Sequence, residues 1–340
     1  MSSSVVIQTS FLGDTILTTP LLEQLAKRGP VDVVTRPSAA SLLKGHPAVR
    51  DVIAYDKHGA HAGIVGLFTM AARLRRIGYE SAFLAQGSLR SAALAFVARI
   101  PERIGFATSA GSWLYTTKVP YRDDLHHAAR LVQLSRPNGR EPTEEETRPS
   151  LAPGPAERGV VDELLRVAGV APGERMIALA PGSVWATKRW PYYPALARLL
   201  ADDGRIVLVG GAEDGPLAAE VQAAVPNAVD ATGALPLLAS AELIGRCAVI
   251  VTNDSAPLHL ASAMRTPTVA IFGPTVPEFG FGPLAPVRVV VGHDSLTCRP
   301  CDRHGPRRCP LGHFRCMREL TPEAVAGEAR RLLLTPDALA

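Results

Sequence analysis

The sequence lacks any run of about 18 uncharged apolar residues, the minimum for a membrane-spanning helix, so no such helix is expected. Its first residues, MSSSVVIQTSFLGD, have no basic stretch ahead of an apolar one and meet an acid too early for a secretory leader. A cytoplasmic location is the expectation. GxGxxG is missing, which removes the usual dinucleotide fingerprint, and no Walker lysine follows a glycine loop, which argues against ATP hydrolysis. No recognisable nucleic-acid-binding module accompanies the basic residues, so nucleic acid is not expected as a partner. Cysteine is scarce, with five residues, yet four of them fall between Cys298 and Cys316.

What is present describes a folded chain. Hydrophobic residues make up 47% and charged residues 20% of 340 positions, which suits two α/β domains better than one core. The formal charge is +4, but it is unevenly spread: residues 1–136 hold 16 Lys and Arg against 9 Asp and Glu, and the remainder holds 20 against 23. A basic first half favours an anionic partner such as a phosphorylated glycolipid or a membrane surface, although a solvated surface alone also produces such an imbalance.

Short apolar runs alternate with helical periodicity through both halves. Strands are expected at Val5–Ile7, Val31–Val34, Val52–Tyr55 and Ser81–Ala85, then at Met176–Ala180, Ile206–Val209, Val249–Thr252 and Thr268–Phe272. Helices are expected between them, among others at Ile16–Lys27, Ile64–Ile77, Tyr193–Ala201, Pro216–Ala224 and Pro236–Cys247. The Pro-, Gly- and Glu-rich stretch from Arg136 to Gly159 reads as an interdomain linker. The boundaries drawn are 1–150 for the first domain and 151–325 for the second, with 326–340 as the end of a C-terminal helix. Doubly wound α/β domains bind ligands at the carboxyl ends of their strands.

Four segments carry chemistry at such ends. In VTNDSAPLHLASAMRTPTVAIFGP, a strand runs into Asn253, Asp254 and Ser255, and a helix opens near Ala256 or Pro257 with His259 one turn in. The helix start offers N–H groups and partial positive charge to a phosphate; the plainer reading makes Asp254 or Ser255 a cap and His259 a core residue. MIALAPGSVWATKRWP places Ser183, Thr187 and Lys188 after a strand, where small groups permit close approach and Lys188 would stabilise a leaving diphosphate. IVLVGGAEDG puts Glu213 and Asp214 at another helix start. At the front, VVIQTSFLGDTILTTPLLEQL sets Asp14 where a helix begins, locally an N-cap.

These phrases together resemble the ADP-heptose:lipopolysaccharide heptosyltransferases, glycosyltransferase family nine, most like the second-heptose type. The match rests on FLGD at Asp14, PGS…KRWP at Pro181–Ser183 and Lys188–Pro191, and NDSAPLH at Asn253–His259. The resemblance implies the GT-B architecture, two Rossmann-like doubly wound domains facing each other across a cleft, with a return of the C-terminal helix end to the first domain left open. It implies an inverting transferase that moves heptose from ADP-L-glycero-D-manno-heptose to Kdo-lipid A already bearing heptose, at the cytoplasmic face of the inner membrane. Asp14 would be the general base. Ser183, Thr187, Lys188, Glu213 (at the ribose), Asp254, Ser255, Ala256 and His259 would hold the donor, and no cofactor is required. Two other classes compete: a nucleotide-sugar epimerase, which needs paired carboxylates and a histidine around one sugar, and a silent nucleotide-sugar-binding protein, which would lose nothing on removal of Asp14.

The segment CRPCDRHGPRRCPLGHFRC is not settled by the resemblance. Cys298, Cys301, Cys309 and Cys316 could hold a structural zinc ion, pack as reduced thiols, or form a disulfide. Cys247 sits in an apolar run and reads as a core thiol.

Overall fold

The computed structural model describes residues 3–137 and 139–335. The chain divides into two compact units, Met1–Ala152 and Pro153–Ala340. In the first, strands β1 (Ser4–Gln8), β2 (Val31–Thr35), β3 (Asp51–Ala54), β4 (Ser81–Leu84), β5 (Glu102–Phe106) and β6 (Thr117–Val119) form a parallel sheet in the order β3-β2-β1-β4-β5-β6. Helices α1 (Leu12–Leu17), α2 (Thr19–Ala26), α3 (Pro37–Leu43), α4 (Gly63–Ile77), α5 (Leu89–Val97), α6 (His127–Leu134) and α7 (Glu144–Thr147) connect and cover it.

The second unit repeats the plan. Strands β7 (Met176–Ala180), β8 (Arg205–Leu208), β9 (Val229–Asp230), β10 (Val249–Asn253), β11 (Thr268–Phe272) and β12 (Arg288–Gly292) run in the order β12-β11-β10-β7-β8-β9, the same winding as the first sheet. Around it lie α8 (Pro155–Val167), α9 (Tyr193–Leu200), α10 (Gly215–Ala224), α11 (Leu237–Gly245), α12 (Ala256–Ala263), α13 (Arg315–Arg318) and α14 (Pro322–Leu333). Both are Rossmann-like. The order reverses direction between β1 and β4 in one unit and between β7 and β10 in the other, and such switch points are where doubly wound sheets bind ligands.

Central strands are buried on both faces because helices cover each side, so Val5–Ile7 and Val249–Val251 need no polar alternation. Register is set accordingly, with Val6 opposite Val33 and Phe83, and Val251 opposite Leu179 and Val269.

One expectation is corrected. The helix drawn over Ile16–Lys27 is two helices: Thr18 and Thr19 turn their hydroxyls onto the Asp14 and Ile16 carbonyls at 2.7 and 2.8 Å, and Pro20 cannot donate to the earlier turn. The stretch read as a linker contains the boundary between the units and packs on the first of them just before it. Ser150 donates its N–H to Thr19 Oγ1 at 3.0 Å and shares a hydrogen bond with His46 Nε2 at 3.1 Å, while Leu151 is buried. In α14, Val325, Ala326, Ala329 and Leu332 lie in the second unit's core with Leu196 and Val251. Residues 336–340 of that expected helix end lie outside the described residues. No helix among the described residues is long and apolar enough to cross a membrane.

Candidate active site

In the first unit, β1 ends at Gln8 and the chain turns through Thr9–Phe11 into α1. Asp14 is the third residue of that helix and not its cap; the cap position is Phe11. Its Oδ2 accepts the Phe11 N–H at 3.1 Å, and its Oδ1 lies 3.5 Å from His127 Nε2 at the start of α6. The carboxylate is thus held at one oxygen and faces an imidazole at the other, with 15% of the side chain exposed. That is a suitable setting for a carboxylate that accepts a proton. His127 was not singled out in the sequence, because it lies 113 positions from Asp14 and only the fold joins them. Nearby, Lys57 Nζ donates to the Thr9 carbonyl at 3.1 Å and fixes the loop after β1.

In the second unit the switch point between β7 and β10 is bridged by Asn253. This fully buried amide donates to the carbonyls of Pro181 and Gly182 at 2.9 and 3.3 Å and accepts the Trp190 N–H at 3.2 Å. The loop carrying Ser183, Thr187 and Lys188 is therefore tied to the end of β10. Next along the chain, Asp254 Oδ2 accepts from Lys188 Nζ at 2.6 Å and from Thr275 Oγ1 at 2.7 Å. Both members of the pair are nearly buried, 10% and 11% exposed. A buried ion pair of this kind recovers its desolvation cost through geometry and added hydrogen bonds, and Thr275 supplies one.

The remaining predicted residues are placed as follows. Ser255 is the N-cap position of α12, yet its side chain makes no capping bond, and Pro257 has no N–H. The Ser255 and Ala256 amides are what this helix start has to offer an anion. His259 is buried, with its ring 6.4 Å from that of Phe281. Ser183 is buried and its carbonyl accepts from Arg189 Nε at 2.8 Å. Thr187 spends its hydroxyl on the Pro306 carbonyl at 2.5 Å. Glu213 is exposed; the acid that the loop after β8 builds in is Asp214, which accepts the Gly211 N–H at 3.0 Å. Burial raises its pKa against the opposing effect of that hydrogen bond. Gly182 is required here, because a Cβ would come within 2.1 Å of the Asp214 carboxylate.

The cysteine segment lies against this site. Cys301 N–H donates to the Pro274 carbonyl at 2.8 Å, and the Arg299 guanidinium holds the carbonyls of Gly273, Phe272 and Thr275 at 2.5, 3.0 and 3.2 Å. Gly305, at φ +88°, packs so closely that a Cβ would stand 3.1 Å from Lys188 Cε. The segment buttresses Lys188 and Thr275, a role its sequence did not announce. All five cysteines are free thiols. Among the described residues no group of three or more His, Cys, Asp or Glu side chains is placed to hold a metal ion. Cys298 Sγ stands 4.0 Å from His313 Nε2, and Cys301 Sγ donates to the Cys298 carbonyl at 3.3 Å.

Their reactivities should differ. Burial pushes Cys247 up to about 12 and Cys316 up to about 11. At Cys309 burial also acts upward, but the backbone N–H groups of Phe314, Leu311, Gly312 and His313 outweigh it and lower the pKa. A lower pKa means more thiolate at neutral pH. Iodoacetamide followed by peptide mass mapping should label Cys309 first and Cys247 only on unfolding; early labelling of Cys247 would contradict the packing described.

Two doubly wound units, each with its functional groups at the switch point and a lysine and helix start suited to a diphosphate, define a nucleotide-sugar glycosyltransferase of the GT-B architecture. The family model for glycosyltransferase family 9 (heptosyltransferase) matches residues 67–310, and the chain belongs to that family. It is 28% identical to lipooligosaccharide heptosyltransferase 2 of Haemophilus influenzae, over 97% of this chain and 99% of that protein. It is also 28% identical to lipopolysaccharide heptosyltransferase 2 of Escherichia coli, over 98% and 99%. The solved structure of E. coli ADP-heptose LPS heptosyltransferase II superposes with a TM-score of 0.79 at 25% identity, covering 98% of this chain and 99% of that one.

Proposed function

We propose that this glycosyltransferase moves heptose, with inversion, from ADP-L-glycero-D-manno-heptose to the inner core of lipopolysaccharide, onto Kdo-lipid A that already bears one heptose. The observation that carries the reading is end-to-end similarity to heptosyltransferases 2, together with Asp14 and the Lys188–Asp254 pair at the two switch points. The acceptor hydroxyl oxygen forms a bond to the anomeric carbon as the bond from that carbon to the β-phosphate oxygen breaks. The hydroxyl proton passes to the Asp14 carboxylate, and the bonding electrons leave with ADP.

Negative charge grows on the departing diphosphate. Lys188, fixed by Asp254, and the amides at Ser255 and Ala256 supply the positive potential that stabilises it. Because these groups are built into the second unit, the reaction needs no cofactor. Glu213, exposed after β8, is the candidate for the ribose hydroxyls. Asp14, as the base for the acceptor hydroxyl, assigns the acceptor to the first unit. The enzyme works in the cytoplasm, in peripheral contact with the inner membrane, and takes no nucleic acid.

The test is ADP release from a panel of nucleotide sugars, with and without core glycolipid. Acceptor-dependent release from ADP-heptose, undiminished by EDTA, is the expected result. Release that depends equally on acceptors with and without the first heptose would overturn the second-heptose assignment, and loss of activity on chelation would overturn the metal-free mechanism.

A further inference from the structure

Helix α4, GIVGLFTMAARLRRI, buries Gly66, Met70, Ala71 and Leu74 on its inner side. That periodicity satisfies the core. It leaves Ile64, Val65 and Phe68 outside, 72%, 79% and 55% exposed, with Arg75 and Arg76 further along the helix. The neighbouring α5 exposes Phe96, and the turn packed against α5 exposes Trp113. Every exposed Phe or Trp among the described residues lies in the first unit.

Between α4, the end of α5 and β5 runs an open groove of about 650 Å³ that Phe68, Arg75, Phe96, Arg99, Pro101 and Arg103 help to line. No carboxylate lines it. Arg75 and Arg99 take part in no ion pair among the described residues. Arg103 is held in place: its Nε donates to the Leu114 carbonyl at 2.7 Å and its Nη1 to the Ile100 carbonyl at 2.6 Å. The guanidinium lies 5.6 Å from the Phe96 ring centroid, and its Nη2 has no protein partner among the described residues. A fixed cation with donors to spare, two further arginines and two exposed rings make a surface that is apolar and positive at once.

We propose that this α4–α5 face docks the enzyme on an anionic phospholipid bilayer, with Phe68 and Phe96 entering the interface and Arg75, Arg99 and Arg103 taking headgroup phosphates. A nucleic acid would use the cations but leave Ile64, Val65 and Phe68 in water. A second protein would need acids matched to the arginines, whereas a bilayer supplies acyl chains and phosphates together. The proposal rests on the reading that the acceptor is a membrane glycolipid, which such docking would bring within reach.

The experiment is co-sedimentation with vesicles of phosphatidylcholine alone and of an equal mixture with phosphatidylglycerol. The wild-type chain should bind the mixed vesicles, progressively less as salt rises. Arg75→Glu/Arg99→Glu and Phe68→Ser/Phe96→Ser should each bind at least about tenfold more weakly, the first because each basic residue near an anionic surface counts for several-fold, the second because two rings no longer leave water. Both should transfer sugar to detergent-dispersed acceptor at the wild-type rate. Where a double variant melts early, Arg75→Glu alone, on the exposed side of α4, reads the same loss. Unchanged vesicle binding in these variants, or equal binding to neutral vesicles, overturns the docking surface. Failure of the wild-type chain to transfer to dispersed acceptor overturns the functional reading instead.

Discussion

Asp14→Asn should keep the fold and the affinity for ADP while transfer falls by about two to four orders of magnitude, the scale for removing a positioned general base. The structure sharpens the test. Asp14 is held at the third position of α1, where Oδ2 accepts the Phe11 N–H at 3.1 Å. An asparagine oxygen accepts that bond equally well, so the start of α1 survives the substitution. What the amide cannot do is take a proton. ADP affinity is a clean control, because the groups assigned to the nucleotide belong to the second unit. Steady-state transfer at saturating donor and acceptor, with calorimetry for ADP, separates the roles. Near-normal turnover would leave Asp14 as a helix-start residue and no more. His127, 3.5 Å from the other carboxylate oxygen, is a positioning partner in this account. His127→Gln should lower the rate by less than Asp14→Asn does, with ADP affinity unchanged.

The central strands were legible because their burial leaves a simple trace. Val249–Val251 and Val269–Phe272 are apolar from end to end, as suits a strand covered on both faces. Of the edge strands, β3 was legible, but the second sheet's β9 and β12 left no such trace. β9 is two residues long, and β12, RVVVG, is only half-buried; neither stood out as a strand. β5 was missed for a different reason, since Gly105 lies where a Cβ would strike the Tyr115 ring at 2.4 Å, and a glycine in a strand reads as a turn. The same division holds in the site. Lys188 and Asp254 were visible as residues of the right kind at strand ends, but their pairing spans 66 positions. His127, Asn253 and Thr275 act through partners distant in sequence. Asn253 stood within a recognised motif and Thr275 at the end of one, yet nothing local marked Asn253 as the clamp on Pro181 and Gly182. Glu213 and Asp214 show the limit most plainly: adjacent acids of like chemistry, of which the fold buries the second and exposes the first.

The Lys188–Asp254 pair makes a prediction in which binding and catalysis move apart. Lys188→Ala removes the cation and leaves Asp254, 11% exposed, facing the diphosphate with only the Thr275 hydroxyl to satisfy it. ADP affinity should fall, because an uncompensated carboxylate now repels the ligand, and transfer should fall by about two to three orders of magnitude, as when one charge-stabilising donor is lost. Breaking a buried pair from one side also costs about 3–5 kcal/mol of stability, so a lower melting temperature is expected. Asp254→Asn does the opposite to binding. It removes the negative charge, so ADP should bind at least as tightly as to the wild-type chain, yet Lys188 loses the anchor that aims it and transfer should drop. Lys188→Ala/Asp254→Asn relieves the repulsion, so it should regain part of the ADP affinity and stability lost in Lys188→Ala without regaining turnover. The expected order for ADP binding, read by calorimetry, is Asp254→Asn at or above wild type, then the double variant, then Lys188→Ala. For transfer, wild type leads, Asp254→Asn follows, and both chains lacking Lys188 come last. Equal ADP affinity in the wild-type chain and Lys188→Ala would remove Lys188 from the phosphate site and leave the pair as a strut between the loop after β7 and the end of β10.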